Sequence, residues 1–173
     1  TTLDLNDVRI LVVDDTPLNL KIARKLLERF GANKLETCES GFECLDRVKG
    51  GEIYDLILLD DMMPKLGGIE TLKQLKEIPN FNAPVVVLTA NAITGMREKY
   101  LADGFDDYLA KPIEKMQLIQ VVNQLLGRDT NDQNEDEKTD SGDTSEQIVE
   151  EQELEANNPD IIPIEDNIEE ILG

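Results

Sequence analysis

Five short apolar runs, each followed by a segment with helical periodicity, fill the first 127 residues. The runs are residues 8–13, 34–38, 54–59, 84–88 and 105–109. Three are nearly continuous in Val, Ile and Leu, the pattern of strands covered on both faces of a parallel sheet. The run 34–38 alternates apolar and polar residues and reads as an edge strand. Between the runs lie helical patterns. Thr16 is placed to cap the first, with Pro17 at its first position. Leu18, Ile22, Leu26 and Phe30 then share one face, and Gly31 ends it. Residues 42–49, 69–77, 93–102 and 113–126 follow. Strand then helix, five times over, predicts an α/β doubly wound sheet with helices on both faces.

Charge separates this region from the rest. The chain has 173 residues, 17 Lys and Arg, 37 Asp and Glu, and a net charge of −20. Residues 1–127 hold 15 of the basic and 20 of the acidic residues. Residues 128–173 are therefore strongly acidic, and the stretch 128–146 has no aliphatic side chain. Such a stretch cannot bury enough apolar surface to offset its ordering entropy, so it reads as a disordered tail. At its far end Ile164, Ile168, Ile171 and Leu172 fall on one helical face, so a short helix over 163–172 is an expectation. That helix would dock on the domain or on a partner, or else be a marginal helix in a flexible tail.

Composition also excludes several functions. So acidic a chain is a poor nucleic-acid binder, because that affinity comes mostly from Lys and Arg against phosphate. With no His, the chain has no His-ligated metal site, no Ser-His-Asp triad and no phosphohistidine of its own. Cys38 and Cys44 form neither a zinc framework nor a disulfide scaffold and read as reduced thiols of a cytoplasmic protein. No apolar run approaches the roughly 20 residues that span a bilayer, so no membrane contact is expected of this segment. The start at Thr1 reads as a piece of a longer or processed chain, whose parent can itself be membrane-anchored.

In a doubly wound sheet, ligands bind outside the carboxyl ends of the strands. Asp14 and Asp15 follow the first run, Asp60 and Asp61 the third, Thr89 the fourth and Lys111 the fifth. Each alone has an ordinary explanation as a helix cap, a turn or a structural hydroxyl. Together they place several carboxylates, a hydroxyl and an ammonium on one rim. Carboxylates about 5 Å apart at an effective dielectric near 20 repel by roughly 3 kcal/mol per pair. Such a cluster attracts a small hard cation, and Mg²⁺ fits because it takes oxygen ligands and shares phosphates. A carboxylate nucleophile beside a cation, a lysine and a hydroxyl suits phosphoryl transfer.

The segments "ILVVDDTPLN" (10–19), "YDLILLDDMMPKLGG" (54–68), "VVVLTANA" (85–92) and "GFDDYLAKP" (104–112) carry a resemblance. In order and spacing they resemble the receiver domain of bacterial two-component response regulators. Asn19 and the "LTANA" run are most similar to receivers of hybrid sensor histidine kinases and phosphorelays. The resemblance covers residues 8–126. It implies a flavodoxin-like five-stranded parallel sheet of order 2-1-3-4-5 with five helices. It implies Asp60 as phosphoacceptor, taking a phosphoryl group from a histidine kinase or a histidine phosphotransfer protein. It implies Mg²⁺ held by Asp14, Asp15, Asp60 and the backbone carbonyl of Met62. Lys111, Thr89 and the small Ala90 would meet the phosphoryl group. Thr89 and Tyr108 would form the switch, the Lys111–Pro112 peptide would be cis, and a dimer would form on phosphorylation. The chain would then be a self-phosphorylating phosphoacceptor rather than a turnover enzyme.

The departures from the pattern are specific. Asp61 stands where receivers usually carry an apolar residue, and is expected to face solvent or cap the loop. Met62 offers no polar group to place an attacking water, which points to a long-lived phosphoaspartate. Three other readings compete. A degenerate receiver would serve as a phosphorylation-independent interaction module, and Asp61 keeps that open. A haloacid-dehalogenase-like phosphohydrolase would need an Asp-x-Asp that neither Asp14 nor Asp60 provides. A flavodoxin-like redox protein would need a less anionic first loop.

Overall fold

A computed structural model describes residues 2–128. The acidic segment 128–173, apart from Arg128, lies outside the described residues, as does the helix expected over 163–172. The elements are β1 (Arg9–Val13), α1 (Pro17–Arg29), β2 (Lys34–Cys38), α2 (Gly41–Lys49), β3 (Leu56–Asp60), α3 (Gly68–Lys76), β4 (Val85–Thr89), α4 (Met96–Asp103), β5 (Asp107–Ala110) and α5 (Lys115–Leu125). All strands pair in parallel, in the order β2-β1-β3-β4-β5. This is the flavodoxin-like sheet that the sequence predicts.

Successive strand residues point to opposite faces, so each nearly continuous apolar run feeds two cores. Ile10, Val12, Leu56, Leu58, Val86 and Leu88 pack beneath α1 and α5 with Leu20, Leu27, Leu118 and Val122. Leu11, Val13, Ile57, Leu59, Val85 and Val87 pack against Cys44, Leu45, Leu72, Leu75 and Tyr100 on the other face. Burying a Leu or Ile completely contributes about 2 kcal/mol, so one-residue register slips are strongly disfavoured. β2 pairs only with β1 and is mostly half-buried, as its alternation predicts. Away from the rim, Arg9 lies 4.7 Å over the Tyr54 ring and bridges Glu36 and Glu52, which ties β1, β2 and the entry to β3 together.

Some boundaries differ from the sequence reading. α4 starts at Met96 rather than at residue 93, because Gly95 takes a left-handed φ of 91° that interrupts the helical path. Ile93 is left exposed, and Tyr100 is the one fully buried residue of α4. β5 begins two residues after the apolar run that announces it. Thr16 is the N-cap of α1 by position, but its hydroxyl makes no capping bond. Its amide instead donates to Asp14 Oδ1 at 2.9 Å.

Candidate functional site

The strand ends deliver the polar residues to one rim. Asp60 is the last residue of β3 and Thr89 the last of β4. Asp14 follows β1 directly, and Lys111 follows β5. Asp14, Asp60 and Thr89 are buried, while Asp15 and Lys111 are half-buried. Oxygens of Asp14, Asp15 and Asp60 lie within 4.8 Å of one another. An open cleft above them is lined by Asp15, Asp61, Met62, Thr89, Ala90, Asn91 and Lys111. The Met62 side chain is exposed, and the Lys111–Pro112 peptide is cis.

Lys111 Nζ donates to Asp60 Oδ1 at 2.8 Å and lies 3.5 Å from Asp14 Oδ2. Burial pushes the Asp60 carboxyl up to about 6, and the charges of Asp14 and Asp61 add to that push against the opposing pull of Lys111. Burial alone would lower Lys111, but its hydrogen bond to Asp60 and the surrounding carboxylates leave it above its ordinary value. The two Asp14 oxygens are treated differently. Oδ1 accepts from the Thr16 amide at 2.9 Å and from Asn19 Nδ2 at 3.4 Å. Oδ2 is buried without a hydrogen-bond partner. A buried, unsatisfied carboxylate oxygen beside two more carboxylates fits a hard divalent cation such as Mg²⁺.

Thr89 faces a network that the sequence does not announce. Its Oγ1 accepts from the Asn91 amide at 2.9 Å and lies 2.8 Å from Tyr100 Oη. Tyr100 Oη also donates to Asp61 Oδ2 at 3.0 Å. Asp61, half-exposed at the edge of the cleft, is thus not left to solvent alone, because a buried phenol from α4 reaches its Oδ2. Tyr108 stacks on Tyr100 with centroids 6.2 Å apart and a 28° interplanar angle. Tyr100 is the functional candidate that sequence reasoning missed. The available signal was a large aromatic in a helix otherwise poor in apolar residues, together with the unexpected Asp61.

Comparison with known proteins agrees with this geometry. Residues 10–123 match the response regulator receiver domain. Over 110 residues the chain is 41% identical to the signal transduction histidine-protein kinase BarA of Escherichia coli K12, covering 63% of this chain and 12% of that protein. The chain thus spans about an eighth of the length of that relative. A Francisella response regulator receiver domain superposes with a TM-score of 0.56 at 37% identity, covering 70% of this chain and 98% of that one. The receiver domain of the Pseudomonas aeruginosa sensor histidine kinase PA1611, which has a magnesium ion coordinated in its active-site cleft, superposes with a TM-score of 0.58 at 31% identity, covering 69% of this chain and 98% of that one. With the strand order, the acidic rim and the sequence match in agreement, this chain belongs to the response regulator receiver family of two-component signalling.

Proposed function

We propose that Asp60 is the phosphoacceptor of a phosphorelay. An Asp60 carboxylate oxygen attacks the phosphorus of a phosphohistidine on a histidine kinase or a histidine phosphotransfer protein. The P–N bond breaks, the imidazole departs with its electron pair, and an acyl phosphate forms on Asp60. The observation that carries this reading is the buried Asp60 carboxylate paired with Lys111 at 2.8 Å beneath an open cleft.

The other residues take roles that follow from their places. Asp14, Asp15, Asp60 and the Met62 carbonyl would hold Mg²⁺, which when bound neutralises charge on the phosphoryl oxygens. Lys111 exchanges its bond to Asp60 Oδ1 for one to a phosphoryl oxygen. Thr89 donates to another oxygen, and Ala90 leaves room beside it. Movement of Thr89 frees space on the side of Tyr108, which reports the change toward α4 and β5. Among the described residues no helix is long and apolar enough to cross a membrane.

The test is to incubate the chain with acetyl phosphate and Mg²⁺, reduce it with borohydride, and map the peptides. Reduction of the acyl phosphate at Asp60 alone is expected. Modification elsewhere, or equally in Asp60→Asn, overturns the assignment.

A further inference from the structure

The donors and acceptors around Thr89 fix the direction of every proton in the chain from Asn91 to Asp61. The carboxylate of Asp61 only accepts, so the single proton of Tyr100 Oη points to Asp61 Oδ2, 3.0 Å away. Tyr100 Oη must then accept at its 2.8 Å contact with Thr89, so the hydroxyl proton of Thr89 points to Tyr100. The Asn91 amide, at 2.9 Å, supplies the bond that Thr89 Oγ1 accepts. Thr89 and Tyr100 are 0% and 3% exposed, so water does not compete for these positions.

Both ends of the chain are held. The Asp61 amide donates to the Leu88 carbonyl at 3.1 Å, and its carbonyl accepts from the Gly68 amide at 3.2 Å. The Tyr100 ring sits edge-on to Phe105 and stacks on Tyr108. Burial, followed by the bond to Asp61, holds the phenol above its ordinary range, so it keeps its proton.

We infer that Tyr100, anchored by Asp61, is a positioning residue that commits the Thr89 hydroxyl away from the phosphoryl site and so biases this receiver toward its unphosphorylated state. This rests on the reading of Asp60 as phosphoacceptor and of Thr89 as donor to its phosphoryl group. Thr89 has one proton, so donating it to a phosphoryl oxygen requires breaking the bond to Tyr100. Because Tyr100 belongs to α4, the same event releases α4 from Thr89 at the end of β4. The device depends on two residues together: without Asp61, Tyr100 is free to donate to Thr89, and without the phenol, Asp61 has no reach to it.

The probe is beryllofluoride, titrated calorimetrically into the full chain saturated with Mg²⁺. Tyr100→Phe keeps the ring and its stacking but removes the relay. It is expected to bind beryllofluoride about tenfold more tightly than wild type, the scale of one buried hydrogen bond. In a Thr89→Ala background the same substitution is expected to change affinity less than about twofold, since the relay has no hydroxyl to restrain. A purely structural effect of Tyr100→Phe would persist in that background. In wild type, the Tyr100 ring resonances are expected to shift at saturation. Unchanged or weaker binding by Tyr100→Phe, an equal change in both backgrounds, or unmoved Tyr100 resonances would overturn the relay alone. Failure of wild type to bind beryllofluoride at all would overturn the phosphoacceptor reading, and the relay with it.

Discussion

Lys111 Nζ sits 2.8 Å from Asp60 Oδ1, at the junction between the ends of β5 and β3. One ammonium thus serves two buried carboxylates, since Asp14 Oδ2 is 3.5 Å from the same nitrogen. Lys111→Met keeps the aliphatic stem and removes the charge. Asp60 is then expected to hold its proton to still higher pH than about 6. Phosphorylation by acetyl phosphate and Mg²⁺ is expected to slow at least about tenfold, because the ammonium that would meet one oxygen of the transferred group is gone. Time courses by intact mass check this, and an unchanged rate would remove Lys111 from the chemistry.

The pH dependence of stability follows from Asp60. Its carboxyl is raised from an ordinary 3.8 to about 6 in the folded chain. The neutral form is therefore favoured by folding, and its contribution is complete below about pH 4 and lost as pH rises through 6. In EDTA, Asp60→Asn is expected to gain on wild type by on the order of 2–3 kcal/mol between pH 4 and pH 7. Denaturant titrations at the two pH values measure the difference. A difference that does not grow with pH would contradict the account.

Metal should reverse part of that penalty. Mg²⁺ would take up the Asp14 oxygen that lacks a hydrogen bond and screen the three carboxylates, so adding it at neutral pH is expected to raise the melting temperature. At a hundredfold excess over Kd, mass action supplies about 2.7 kcal/mol. Asp15→Ala, which takes one carboxylate from the cluster, is expected to lose most of that gain. An equal rise in this variant would place the metal elsewhere.

Gly68 sets how closely α3 approaches the site. A Cβ there would stand 2.5 Å from the Asp60 carbonyl oxygen and 2.8 Å from Asp61 Cα. Both are backbone atoms, so the loop itself must move. Gly68→Ala is expected to cost about 1–3 kcal/mol and to weaken Mg²⁺ binding, since the displaced segment carries Asp60 and Met62. Chemical denaturation and calorimetry measure the two effects. A variant as stable as wild type with unchanged Mg²⁺ affinity would show the contact to be slack.

Most of the sheet was legible because its signals are local. Leu56–Leu59 and Val85–Leu88 are apolar at every position, and runs so short and apolar, repeated between helical segments, fit strands covered on both faces. Asp60, Thr89 and Lys111 were legible for the same reason, since residues at strand ends converge wherever the strands are parallel. The start of α4 was not, because its apolar residues are too few to fix a helical phase and Gly95 breaks the path at Ile93. The Asp61–Tyr100–Thr89 chain was not legible either. It spans 39 residues between Asp61 and Tyr100 and exists only once α4 packs its single buried side chain against β4.

The most direct test is the intact mass of the full chain after incubation with acetyl phosphate. Wild type with Mg²⁺ should gain the mass of one phosphoryl group, while wild type in EDTA and Asp60→Asn with Mg²⁺ should gain none. A phosphoryl adduct that forms without divalent cation, or that persists in Asp60→Asn, would contradict the account.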